Sequence, residues 1–206
     1  EVIAYCKPNG IGIMNEPHGG GGAITYDYYY NNFMLPSINA YRSVDSDIAV
    51  LVMPFPFYSM ELFQNRPIDD SNVYYEWHLY YPQTYPYSGS HLYLNNAVNA
   101  YYEGRLEDGK TWFYKYLDDF KFGDLPRDKI YWGEAGCYGM TTWEPTQPNW
   151  KVWLDDCYEY ARNRRMVGIT QYAAGLGHYC IFDPNTDYTT LTPYGQAWAD
   201  AMREGS

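Results

Sequence analysis

The sequence predicts an α/β chain built on a parallel sheet, and three observations predict it. Short β-type runs alternate with helical patterns along the 206 residues, and regular alternation implies parallel strands joined by helical crossovers. Polar residues collect at the C-terminal ends of the strand runs. Two of those ends lead into long segments rich in aromatics, Gly and Pro, where barrel enzymes build their sites. Five βα units satisfy either an open doubly wound sheet or part of a (β/α)8 barrel. No G-x-G-x-x-G or Walker loop follows a strand run, which weakens the nucleotide-binding version. The four glycines at 19–22 lack a following Lys-Ser/Thr and read as a flexible loop.

Taken in order, residues 11–15 form a short apolar run ending in polar residues. Residues 47–53 are nearly all apolar, as expected of a strand buried on both faces. Residues 72–80 alternate, 129–134 form a fourth strand and 166–171 a fifth. Between them, Tyr26, Tyr29, Tyr30, Phe33 and Met34 recur at helical spacing over 26–42, with a kink or break expected at Pro36. Phe113, Tyr116, Leu117 and Phe120 mark another helix, and Trp150, Trp153, Leu154, Cys157, Tyr158 and Ala161 the next. The last helix opens at Thr192-Pro193, a cap residue followed by Pro in the first turn. Its expected buried stripe is Tyr194, Ala197, Trp198, Ala201 and Met202. Residues 82–95 and 136–148 are the long loops.

The chain is 46% hydrophobic and 20% aromatic, enough for one domain with a substantial core. Its 26 tyrosines suit either a surface that meets sugars or other chains, or the core itself. A net charge of −11 would repel phosphate backbones, so no nucleic-acid partner is expected. Arg162, Arg164 and Arg165 read as a solvated helix end. No apolar run approaches 18 residues, so no membrane span is expected. The chain begins at Glu1 rather than Met, which implies a removed N-terminus or a fragment. Cys6, Cys137, Cys157 and Cys180 form no C-x-x-C pair, so no structural metal site is expected. Four cysteines allow three pairings; the even count points to an extracellular protein, with buried thiols as the alternative.

Chemistry concentrates at the strand ends. Asn15-Glu16 closes the first strand run. Glu76, His78 and Tyr80 share one face of the third, because alternate residues point the same way; Trp132 and Glu134 are expected to share one face of the fourth. A carboxylate at the end of a buried strand is costly unless it is paired or functional. Two of them aimed at one mouth suit glycosidic bond cleavage, one as acid and one as nucleophile, about 5–5.5 Å apart in retaining enzymes. The plainer readings are a helix-start acid for Glu16, a structural strand-end carboxylate for Glu134 and a satisfied core residue for His78. Trp132 is read as barrel filling or the floor of a sugar subsite, and Trp143 as a stacking platform or a loop anchor.

Three motifs in order carry a family resemblance. Residues 12–18 (Gly-Ile-Met-Asn-Glu-Pro-His) resemble the N-E-P-H signature of glycoside hydrolase family 5, the large cellulase and mannanase family. Residues 75–82 (Tyr-Glu-Trp-His-Leu-Tyr-Tyr-Pro) resemble its sixth-strand H-x-Y motif, and Gly133-Glu134-Ala135-Gly136 its seventh-strand G-E-x-G. Residues 39–45 resemble the helix end before strand five, and 191–195 the entry to the closing helix. The resemblance covers the chain with strands four to eight of the barrel. It implies a retaining, cofactor-free and metal-free hydrolase of β-linked glucan or mannan. Glu16 would be the acid/base, Asn15 would bind the sugar 2-OH, and Glu134 would be the nucleophile. Tyr80 would hold Glu134, while His78, Trp132 and Trp143 would line the substrate subsites. The eighth strand departs from the family, since Gln171 or Tyr172 stands where a Trp is usual. Strands one to three would come from a second chain or a longer precursor, or copies would pair their edges in a homo-assembly. The other function class is a structural or carbohydrate-binding protein that has lost catalysis.

Overall fold

The computed structural model describes residues 6–19, 24–81, 92–137, 140–141, 144–145, 148–171, 181–186 and 189–203. Its centre is a parallel sheet of five strands lying side by side in chain order: β1 (Gly10–Gly12), β2 (Ala49–Val52), β3 (Val73–Tyr81), β4 (Ile130–Cys137) and, after the two-residue strands β5 (Met140–Thr141) and β6 (Glu144–Pro145), β7 (Gly168–Gln171). Sequential neighbours joined by helical crossovers are the strand order of a (β/α)8 barrel, and the doubly wound alternative is set aside. The sheet is five successive strands of such a barrel, a partial barrel. β5 and β6 pair antiparallel beyond the end of β4, inside the segment expected to be loop.

The helices cover one face of the sheet. Val50, Val52, Val73, Tyr75, Trp77, Ile130 and Trp132 are buried there. Trp77 packs on Trp132 and Phe122 at ring distances of 4.9 and 5.0 Å. The other face is the barrel's inner wall. Leu51 on it is half-buried, so β2 is fully buried on one face rather than two. Tyrosine serves the core extensively, with Tyr29, Tyr30, Tyr75, Tyr101, Tyr116, Tyr158, Tyr160 and Tyr194 all buried. Several hydroxyls are paired inside: Tyr75 accepts from the Ile68 amide at 3.0 Å, and Tyr160 donates to Asp118 at 2.7 Å.

Helix α1 runs over 26–42 in three parts: a first turn (Tyr26–Tyr29), a π-helical turn (Tyr30–Met34) and a final segment (Leu35–Arg42). Thr25 caps it by accepting from the Tyr28 amide at 3.1 Å. The break expected at Pro36 is instead taken up by the π turn, where the Leu35 amide reaches the Tyr30 carbonyl. Widening the helix just ahead of the proline accommodates its missing N–H and its ring. At the far end, Arg42 forms a two-pronged ion pair with Asp70 (2.8 and 3.0 Å) and donates to the carbonyls of Ile48 and Asn72. One guanidinium thus ties the helix to the approaches of both β2 and β3.

Two helices lie on residues to which no helical pattern is assigned: α2 (Glu61–Asn65), in the crossover from β2 to β3 that five βα units call for, and α3 (Leu92–Tyr102). Helix α4 (Leu106–Lys115) continues into a π turn (Tyr116–Phe122) and buries Phe113, Tyr116 and Leu117. Helix α5 (Trp150–Asn163) buries all six of its expected apolar residues. In α6 (Pro193–Arg203), Thr192 accepts from the Gly195 amide at 3.0 Å, as a cap should. Gly195 is needed there, because a Cβ would lie 2.1 Å from the Ile181 carbonyl oxygen. The stripe of α6 is narrower than expected: Tyr194 and Ala201 are buried, and Met202 is exposed. The arginines at the end of α5 are more than a solvated cluster. Arg162 donates to the Ala201 carbonyl at 3.1 Å, and Arg164 pairs with Asp118. No helix of the described residues is long and apolar enough to cross a membrane. Cys6 is exposed and Cys157 lies buried in α5; Cys180 lies outside the described residues.

Candidate active site

Four of the predicted site residues meet at the C-terminal end of the sheet. Glu16 arrives on the loop after β1, His78 and Tyr80 on the inner wall of β3, and Glu134 on β4. The Glu16 loop is held from several sides. The Glu16 amide donates to the Met53 sulfur at 3.2 Å, and His18 Nδ1 donates to the Glu16 carbonyl at 2.6 Å. The Phe57 amide donates to the carbonyl of the buried Pro17 at 3.0 Å. Within this clamp Glu16 adopts φ of 42°, a left-handed conformation that costs a non-glycine residue about 1 kcal/mol or more. Strain of this kind is kept where the surroundings fix a side chain's direction. Asn15 is exposed beside it.

His78 is the hub. Its side chain is 1% exposed. Nδ1 lies 2.9 Å from Glu16 Oε1 and 3.5 Å from Glu134 Oε2, and Nε2 lies 3.4 Å from Glu76 Oε1. Burial pushes the imidazole pKa down; hydrogen bonds to Glu76 and Glu16 and the charge of Glu134 outweigh it and hold the pKa above the ordinary value. Tyr80 donates its phenol proton to Glu134 Oε2. The facing oxygens of Glu16 and Glu134 and His78 Nδ1 lie within 4.8 Å of one another. The three are read as a hydrogen-bonded triad.

The fourth strand corrects one expectation. Trp77 pairs with Trp132, but His78 pairs with Glu134, so Gly133 is an extra residue and a β-bulge. The bulge breaks the period of two, and Trp132 and Glu134 do not share a face. Trp132 is fully buried between the sheet and the helices, against Trp77 and Phe113, and its indole N–H donates to the Glu134 carbonyl at 2.9 Å. It is core filling, and a fully buried ring offers no face to a sugar. The glycine inside the strand was the available signal for this bulge. Trp143 and Tyr172 lie outside the described residues.

The geometry thus defines a class: strands of a (β/α)8 barrel with two carboxylates facing each other across a buried histidine at the mouth. Comparison with known proteins gives the same architecture. No family model and no curated sequence matches the chain. Solved structures do. A β-glucanase from Saccharophagus degradans superposes with a TM-score of 0.63 at 16% identity, over 94% of this chain and 53% of that one. The clostridial cellulose synthase subunit Z of Clostridioides difficile gives 0.56 at 20% identity, over 93% and 60%. A hyperthermophilic endo-β-1,4-glucanase solved with substrate gives 0.57 at 15% identity, over 97% and 62%. The chain spans less than two thirds of the length of each, and at these identities the likeness establishes the fold.

Proposed function

We propose that this chain carries the catalytic pair of a retaining glycoside hydrolase of the family 5 type, acting on a β-linked glucan or mannan. The observation that carries the reading is the approach of Glu16 and Glu134 to within 4.8 Å, from different strands at one mouth. That separation falls short of the wider spacing by which inverting enzymes fit a water beside the sugar, and suits attack by one carboxylate itself. Glu134, held by the Tyr80 hydroxyl, attacks the anomeric carbon. Glu16 gives its proton to the departing glycosidic oxygen, and a glycosyl ester forms on Glu134. Glu16 then takes a proton from water, which attacks the same carbon and releases Glu134 with net retention. The exposed Asn15 is placed to bind the sugar 2-OH, and His78 lines the reacting subsite and orients both carboxylates. A polymeric substrate places the reaction outside the cell.

The test is a covalent trap. A dinitrophenyl 2-deoxy-2-fluoro-β-cellobioside or mannobioside should lose dinitrophenolate and leave one sugar ester on Glu134, read by peptide mass. Labelling elsewhere, or none, removes the nucleophile assignment. Glu134→Gln should abolish both labelling and hydrolysis. Glu16→Ala should lose far more activity on substrates with poor leaving groups than on dinitrophenyl glycosides, which need no acid; equal losses would count against the acid role. One observation favours a binding protein without catalysis: among the described residues β1 and β7 each have a single strand neighbour. Oligosaccharide binding without turnover in calorimetry would select that reading.

A further inference from the structure

The catalytic reading gives no role to Glu76, yet its carboxylate is built into the site. It stands two residues before His78 on the inner wall of β3, with Oε1 3.4 Å from His78 Nε2. Across the sheet, Gly133 makes room for it: a Cβ at 133 would fall 2.2 Å from Glu76 Oε1 and 2.9 Å from its Cγ and Cδ. Gly12 on β1 faces its other oxygen, with a Cβ position 3.8 Å from Oε2. The side chain is therefore seated in space that Gly133 leaves clear, and that glycine is the bulge that turns Glu134 towards His78.

We propose that Glu76 is a positioning residue: lodged over Gly133 behind the His78 ring, it holds the imidazole by Nε2 so that Nδ1 is always presented to Glu16 and Glu134. A histidine flanked by acceptors at both nitrogens keeps a proton on each. With Glu76 behind it and Glu16 and Glu134 in front, His78 donates forward without a competing tautomer. Among the described residues, the charged groups facing the ring are these three carboxylates, with the Tyr80 hydroxyl reaching it through Glu134. This rests on the proposed function for its catalytic consequence, but the hold on His78 is a property of the protein itself.

Two variants separate charge from position. Glu76→Gln keeps the size and an acceptor but removes the charge. Gly133→Ala keeps the carboxylate and pushes it off its seat. Imidazole NMR on the full chain should show His78 titrating at lower pH in both than in the unmodified protein, where it titrates above 6.5. Circular dichroism should show both folded. With an activated aryl glycoside, kcat should fall by about 10- to 100-fold, the loss seen when a carboxylate that orients a metal-bound histidine is removed. KM should hold, and the pH profile should move with the His78 titration. Glu76→Asp, with charge but a shorter reach, should recover part of the titration shift. An unchanged His78 titration in Glu76→Gln overturns the proposal, whatever the activity. A shifted titration in a chain without glycosidase activity upholds the hold on His78 and refutes the proposed function alone.

Discussion

At the residue scale, the site is governed by one buried imidazole. His78 has a raised pKa in the folded state, burial opposing and the carboxylates of Glu76, Glu16 and Glu134 prevailing. The folded protein therefore holds the proton more tightly than the unfolded chain. Its contribution to stability is fully present below the unfolded value near 6.5 and is lost as pH rises through the higher folded value. Urea unfolding between pH 6 and 8 should show stability declining over that interval, and His78→Gln should flatten the decline. An identical slope in the variant would mean that other groups carry it. Lys121, buried beside Glu61, has the opposite sense. Burial lowers its pKa despite Glu61, so its cost is relieved as pH rises through the lowered value, a trend opposite in sign to that of His78.

Residue identities at the site were legible because two regularities coincide in the sequence. Alternation along β3 put Glu76, His78 and Tyr80 on one wall, and the structure keeps them there. The Asn15-Glu16 pair at the end of an apolar run announced a carboxylate at a strand end. The place of Trp132 was not legible from alternation, because the bulge at Gly133 inserts a residue and turns the indole into the helix layer. A glycine in a strand flags that event without giving its direction. The seat that Gly133 provides for Glu76 depends on a neighbouring strand 57 positions away in sequence, between Glu76 and Gly133, and local pattern carries no such information.

At the element scale, sequence patterns located strands and most helices, and tertiary contacts set their limits. Pro36 reads as a helix breaker because it removes one hydrogen bond and crowds the preceding turn. The chain answers with a π turn and keeps 26–42 continuous. Helix α3 begins in the last four residues of a segment, 82–95, whose aromatics and glycine read as loop, and Leu94, Ala97, Val98 and Tyr101 bury one face of it. Arg42 is the point where an element's end becomes a tertiary joint. It satisfies Asp70 with two hydrogen bonds and covers two backbone carbonyls that precede β2 and β3. Hydrogen bonds to charged groups contribute about 1.5–3 kcal/mol each way of counting, and loss of one partner strands the other. Arg42→Ala should therefore lower stability by about 2–3 kcal/mol in denaturant melts. Arg42→Lys should recover little of it, since an ammonium cannot form the two-pronged pair. A loss below about 0.5 kcal/mol, the range of ordinary surface substitutions, would show the joint to be dispensable.

At the scale of the whole molecule, the determining fact is a parallel sheet with two ends. Barrels remove edge strands by closing. Here β1 pairs with β2 and β7 with β4, and among the described residues neither has a second strand neighbour. The inner wall between those edges holds the half-buried Leu51 together with the carboxylates of the site, and on the helix-covered face the two edge strands carry the half-buried Ile11 and Ile169. Met14 and Val167 are exposed near the two edges. Unpaired backbone beside apolar side chains is a template for further strands, whether from a second copy or from a chain carrying three more βα units. The net charge of −11 works against close approach of copies and is screened by salt. Sedimentation should therefore give a mass above 24.1 kDa that rises with protein concentration and with ionic strength. Adding a polypeptide with the three preceding strands of a related barrel should replace that spread by one discrete complex, more resistant to heat than the chain alone. A fixed 24.1 kDa monomer at every salt concentration would mean that the chain covers both edges with its own remaining segments. The catalytic pair would then have to work on a sheet of five strands, and the fluorosugar trap on that monomer would decide whether it does.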